Sequence, residues 1–123
     1  MPEPTDTLTG TIIDATIQVR QTLGPGFLEG VYHRALLIEL KKHDLDVESE
    51  KEVEVLYEDE LVGRHRLDVV VNGEVIVELK TVEALSKAHY AQVRSYVRAT
   101  GLKVALLVNV AMEKADFRRI ENE

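Results

Sequence analysis

The stretch RLDVVVNGEVIVELK, residues 66–80, carries the information that decides the fold. Asn72-Gly73 between two apolar runs is a strong hairpin signal, so 61–71 and 74–80 are read as adjacent strands. On the second strand Ile76, Glu78 and Lys80 point to one face, and Val75, Val77 and Leu79 to the other. Charged groups at the end of so apolar a strand need a reason, because burying an unpaired charge is costly. Asp68 likewise precedes three valines. One acid on each of two neighbouring strands, with a lysine two residues past the second, suits a hard cation. Mg²⁺ prefers oxygen ligands, commonly one or two carboxylates together with water and substrate phosphate. Lys80 then stands where it can orient or help deprotonate an attacking water.

Strand parity sets a condition on that reading. A two-residue Asn72-Gly73 loop pairs Val71 with Glu74 and Asp68 with Val77, which leaves Asp68 and Glu78 on opposite faces. The two acids share a face only if the loop has an odd length. A type I turn with Gly73 in the left-handed conformation, pairing Val70 with Glu74, provides one.

Outward from the hairpin, Leu8, Ile12, Thr16, Val19 and Leu23 recur at helical spacing and predict a helix over 8–23, with Thr7 or Thr9 as its cap. Leu23-Gly24-Pro25-Gly26 breaks the chain. A second helix is expected from about Leu28 to Lys42, burying Val31, Ala35, Leu36 and Leu40. Two strands follow near 46–50 and 52–58. There Asp46, Glu48, Glu50, Glu52 and Glu54 alternate with other residues, which places the acids on one solvated strand face. Residues 85–100 predict a third helix stopped by Gly101, Val104–Val108 a buried strand, and 116–120 a last edge strand. The pattern is that of a single domain over 1–123, of α/β class, with a mixed sheet flanked by helices.

Bulk properties agree with a globular chain. Of 123 residues, 45% are hydrophobic and 30% charged, enough for one core and too few for two. The absence of cysteine excludes disulfides, thiol catalysis and cysteine-ligated zinc. No apolar run is long enough to span a membrane and no secretion signal is present, so a cytoplasmic location is expected. The net charge of −7 argues at first against a polyanionic substrate. Its distribution argues otherwise: residues 1–79 hold 7 basic and 17 acidic groups, whereas 80–119 hold 8 basic and 3 acidic.

Two further motifs extend the site. Gly26-Phe27-Leu28-Glu29-Gly30-Val31-Tyr32 reads G-x-x-E-x-x-Y, and Gln92-Val93-Arg94-Ser95-Tyr96 reads Q-x-x-x-Y. With the GRHRLDVVVNGEVIVELKTVEAL and AQVRSYVRATGLKVALLVN blocks, the chain resembles the GxxExxY family of the PD-(D/E)XK nuclease superfamily from about Ile12 to Ile120. Leu67 stands where the superfamily name implies proline. The resemblance implies a restriction-endonuclease-like core, a central mixed β-sheet flanked by α-helices. It implies Asp68, Glu78 and the Leu79 carbonyl as ligands of Mg²⁺ (Mn²⁺ as substitute), Glu29 as the helix acid completing the site, and Lys80 as the catalytic lysine. The Q-x-x-x-Y segment is similar to the motif after ExK in the recombination-exonuclease branch, which lies beside the active site and brings Gln92 and Tyr96 into it. Arg94 and Arg98, one helical turn apart, are candidates for a phosphate backbone.

Each of these has a plainer alternative. Glu29 is a favourable acid in a first helical turn, Tyr32 a half-buried packing residue, Q-x-x-x-Y an ordinary amphipathic helix, and the arginines a solvated face. The four histidines lack metal-ligand spacing; His89, three residues before Gln92, is the most notable, and the others read as surface residues. The leading expectation is a Mg²⁺-dependent nuclease acting on DNA or RNA. The competing ones are a non-catalytic binding module in a larger complex, and an interaction protein, a homodimer among the options, using its acidic strand.

Overall fold

The computed structural model describes residues 4–111 and 113–122. Helix α1 (Pro4–Leu23) buries Leu8, Ile12, Ala15 and Val19, one stripe at helical spacing. It starts before residue 8, so Thr7 and Thr9 lie inside it rather than capping it, and the Thr9 hydroxyl donates back to the Asp6 carbonyl at 3.0 Å. Helix α2 (Glu29–Lys42) follows the turn at 24–28. Its buried stripe is Tyr32, Leu36 and Leu40, while Val31 and Ala35 are only partly covered. Tyr32 is fully buried, not half-buried. Its hydroxyl donates to the Gly24 carbonyl at 2.6 Å and accepts the Phe27 N–H at 3.3 Å, which fixes the turn ahead of Glu29.

A five-stranded sheet in the order β1-β2-β3-β4-β5 forms the centre: β1 (Val47–Tyr57), β2 (Glu60–Val71), β3 (Val75–Lys80), β4 (Val104–Asn109) and β5 (Asp116–Glu121). Strands β1, β2 and β3 are antiparallel, β3 and β4 parallel, and β4 and β5 antiparallel. The crossover between the parallel pair is helix α3 (Lys87–Thr100), closed by Gly101 at φ 73° with its N–H on the Val97 carbonyl. Helices α1 and α2 share one core cluster with Val69, Val71, Val75, Val77 and Leu79. Helix α3 shares the other with Leu67, Val70, Ile76 and Ala105. This is the mixed sheet with flanking helices of a restriction-endonuclease-like core.

Two expectations change at β1. The predicted pair of strands over 46–58 is one strand, because the β1–β2 ladder runs through the suspected break, from Ser49 opposite Val69 to Lys51 opposite Leu67. The residue between, Glu50, has φ 53°. Alternation slips there: Val47 packs on the α1/α2 cluster, Val53 on the α3 cluster. The five acids are all exposed, yet they do not lie on one face; those before Glu50 and those after it are on opposite sides. Strand β2 slips at the same level, since Val69 and Leu67 belong to different clusters. The slip falls at Asp68.

Candidate active site

The loop between β2 and β3 has the odd length that parity requires. Val71 pairs with Val75, leaving Asn72, Gly73 and Glu74 outside the ladder. Both Asn72 and Gly73 are left-handed, at φ 53° and 63°, and the Glu74 N–H reaches the Val71 carbonyl at 3.0 Å. The turn is therefore a left-handed pair followed by one extra residue, not a type I turn, and the register is Val71–Val75 rather than Val70–Glu74. The Asn72 side chain explains this: its Oδ1 accepts the Asp46 N–H at 2.8 Å while its own N–H donates to the Asp46 carbonyl at 2.7 Å, locking the turn to the start of β1.

Continuing that register sets Asp68 opposite Glu78. There the two side chains enter the ladder. The Asp68 N–H donates to Glu78 Oε1 at 3.3 Å, and the Leu79 N–H donates to Asp68 Oδ2 at 3.1 Å. Each carboxylate thus holds a backbone donor beside the other. Glu78 is only 4% exposed, and Asp68 is half-buried. Burial pushes the Glu78 carboxyl up to about 8, with the charges of Asp68 and Glu29 adding to it; the Asp68 N–H and Lys80 offset part of this. Burial also raises Asp68, against the Leu79 N–H, His33 and Lys80, while Glu50 pushes in the same direction as burial. Two like charges held this close with so little solvent call for a cation.

Lys80 supplies part of one. Its Nζ lies 3.7 Å from Glu78 Oε2 and donates to Gln92 Oε1 at 3.2 Å. The lysine is fixed from behind by residues that the motifs did not single out. The Lys80 carbonyl accepts the Val110 N–H at 2.9 Å, and buried Asn109 clamps the loop after β3 by exchanging two hydrogen bonds with Val82. A lone asparagine closing the run ALLVN was the available signal. Gln92 and Tyr96 both come to this place from α3. Tyr96 is buried, and its hydroxyl is pushed up to about 12 by burial and then by Glu78 and Asp68, with Gln92 pulling the other way. Glu29 arrives from α2. Burial raises its carboxyl, as does the Asp68 charge, while Lys80 and His33 lower it.

His33 is the residue that sequence reasoning missed. One turn beyond Glu29, it meets Ser49 Oγ at 2.8 Å through Nε2 and lies close enough to favour the ionised forms of both Glu29 and Asp68. His89 is used otherwise: its Nδ1 accepts the Ser86 N–H at 2.9 Å in the cap of α3. Arg94 and Arg98 do not join the carboxylates. They line a neighbouring cleft between α3 and the β1–β2 arm.

Among the described residues, no three His, Cys, Asp or Glu side chains form a ready-made metal cage. The donor set nevertheless fits a divalent hard cation. Two facing carboxylates, one forced far from its ordinary range, are oxygen donors whose ionised forms such an ion would stabilise, and Mg²⁺ sites commonly use only one or two carboxylates. No helix among the described residues is long and apolar enough to cross a membrane.

Comparison with known proteins agrees with the architecture. The sequence model of the PD-(D/E)XK nuclease superfamily matches residues 6–120, and the chain belongs to that superfamily. None of the curated proteins matches it significantly. Among solved structures, the crystal structure of SSO0001 is similar, with a TM-score of 0.59 at 15% identity, covering 93% of this chain and 77% of that one. At that identity the likeness speaks for the fold.

Proposed function

We propose that this protein is a Mg²⁺-dependent nuclease of the GxxExxY type, in the cytoplasm, hydrolysing phosphodiester bonds of DNA or RNA. The observation that carries the reading is the pair of half-buried Asp68 and buried Glu78 with Lys80 beside it. A structural strand end has no use for two facing, under-compensated carboxylates, whereas a phosphoryl-transfer site does. Superfamily membership supports a nuclease-like function on independent grounds.

Asp68, Glu78 and the Leu79 carbonyl, with Glu29 from the α2 side, would hold Mg²⁺ or Mn²⁺. The bound ion would offset charge on the scissile phosphate. Lys80, as an ammonium, orients the attacking water and offsets the charge of the hydroxide as its proton passes to solvent. The new P–O bond forms while the bond to the leaving oxygen, protonated from solvent, breaks. Gln92 keeps the Lys80 ammonium aimed at the site, and Tyr96 closes the side facing α3. The test is cleavage of single- and double-stranded DNA and RNA with and without Mg²⁺, in wild type and Lys80→Ala. Mg²⁺-dependent cleavage lost in the variant supports the proposal. Equal trace cleavage by both proteins means contamination and overturns turnover. Binding of nucleic acid without cleavage would make the chain a binding module.

A further inference from the structure

Beside the carboxylates a cleft of about 550 Å³ runs between α3 and the β1–β2 arm, within the size range of ligand sites. His65 joins the two places. Its ring packs edge-on against Tyr96, with centroids 4.7 Å apart, and its Nε2 lies 3.2 Å from Ser95 Oγ. Ser95 Oγ also donates to the Gln92 carbonyl, and the Gln92 side chain accepts from Lys80 at 3.2 Å, beside Glu78. Beyond His65 and Ser95 the helix side carries Arg94 and Arg98, both exposed. Among the described residues neither has a carboxylate within ion-pair distance, in contrast to Arg64 and Arg66 of the arm, which sit at 3.8 Å from Glu54 and 4.0 Å from Glu52. Arg94 lies 6.0 Å from the Tyr90 ring centroid. Among the described residues the one acid lining the cleft, Glu54, is the partner of Arg64. The opposite wall holds apolar Val55 and Leu56.

From this geometry we propose that the cleft binds a single nucleic-acid strand flanking the scissile phosphate, with Arg94 and Arg98 on its phosphates and His65 and Ser95 holding the nucleotide next to the carboxylates. The proposal rests on the nuclease reading for its substrate class. Exposed guanidinium groups opposite an apolar wall are the chemistry that takes a phosphate backbone on one side and base faces on the other. Walls from both the helix and the arm suit a single strand, which can place its backbone on one wall and its base faces on the other.

The test measures binding by fluorescence anisotropy with Ca²⁺ replacing Mg²⁺, using labelled oligodeoxythymidylate alone and annealed to its complement. Wild type is expected to bind the single strand more tightly than the duplex. Arg94→Ala/Arg98→Ala should weaken single-strand binding by about tenfold or more, and lower the salt dependence by about 0.7 in log–log slope per lost phosphate contact. Ala91→Glu, at an exposed helical position in the cleft, should weaken it comparably with an unchanged circular dichroism spectrum. Lys42→Ala, on α2, should bind as wild type. Wild-type affinity in both cleft variants, or duplex binding as tight and as sensitive to them, overturns the proposal. If Lys80-dependent cleavage persists in that case, the nuclease reading survives alone. Single-strand binding through the arginines without any cleavage leaves the cleft standing and removes the turnover.

Discussion

The two edges of strand β2, one paired with β1 and the other with β3, use the same ingredients to opposite ends. In the outer arm, Glu52 and Glu54 alternate with valines, face solvent, and sit across from Arg66 and Arg64. At the inner end, Asp68 and Glu78 also stand among valines, but Asp68 is half-buried and Glu78 buried, each accepts a backbone N–H beside the other, and Lys80 lies 3.7 Å from Glu78. Exposed cross-strand pairs are worth little and cost little to break. A covered carboxylate pair stores repulsion that a divalent ion can release. An acid among valines therefore says nothing by itself; what counts is whether its partner across the strand is a base or another acid.

The sharpest way to break this contrast is to change the parity that creates it. Deleting Val75 would keep the three-residue loop, bring Ile76 opposite Val71 and move every later β3 side chain to the opposite face, placing Glu78 and Lys80 in the α1/α2 core. Loss of cooperative unfolding in a thermal melt is the expected outcome; a folded variant would mean that the register is set elsewhere. Next in size, Lys80→Ala should reduce cleavage by about 10²-fold or more with little change in the melting temperature, as read from initial rates and circular dichroism. Smaller still is the pH response of the metal-free protein. Glu78 binds its proton more tightly folded than unfolded, so its contribution is fully present below the ordinary carboxylate range and is lost as pH rises toward about 8. Melting temperature should fall over that window, by the equivalent of a few kcal/mol, and Glu78→Gln should flatten the fall while keeping an oxygen for the Asp68 N–H. The smallest effect belongs to the arm. Glu52→Gln and Glu54→Gln should each shift stability by less than about 0.5 kcal/mol in urea denaturation.

Much of this was legible before any coordinates. Ile76, Glu78 and Lys80 against Val75, Val77 and Leu79 is a strict two-residue alternation, and it separated the two faces correctly: Val75, Val77 and Leu79 fall in one core cluster and Ile76 in the other. The odd loop was legible as a condition, because parity follows from covalent geometry alone. Its turn type was not, since the choice depends on Asn72 bonding to Asp46, a partner 26 residues away. The slip at Glu50 was misread as the end of a strand for a related reason. A left-handed residue interrupts the pattern, but only the ladder with β2 reveals that the strand continues. His33 was invisible because its role comes from the meeting of α2 with β1, not from spacing to another ligand. Arg94 and Arg98 were placed on one helix side, yet the cleft they line also needs Glu54, Val55, Leu56 and His65 of the arm, which no spacing within the helix reveals.

The central claim is that Asp68 and Glu78 face one another in order to hold a divalent cation. A crystal structure grown with saturating Mn²⁺ tests it most directly. The account predicts an anomalous peak between the two carboxylates, within bonding distance of both and of the Leu79 carbonyl. A structure with no peak there, or with Mn²⁺ only on the exposed acids of the arm, would contradict it.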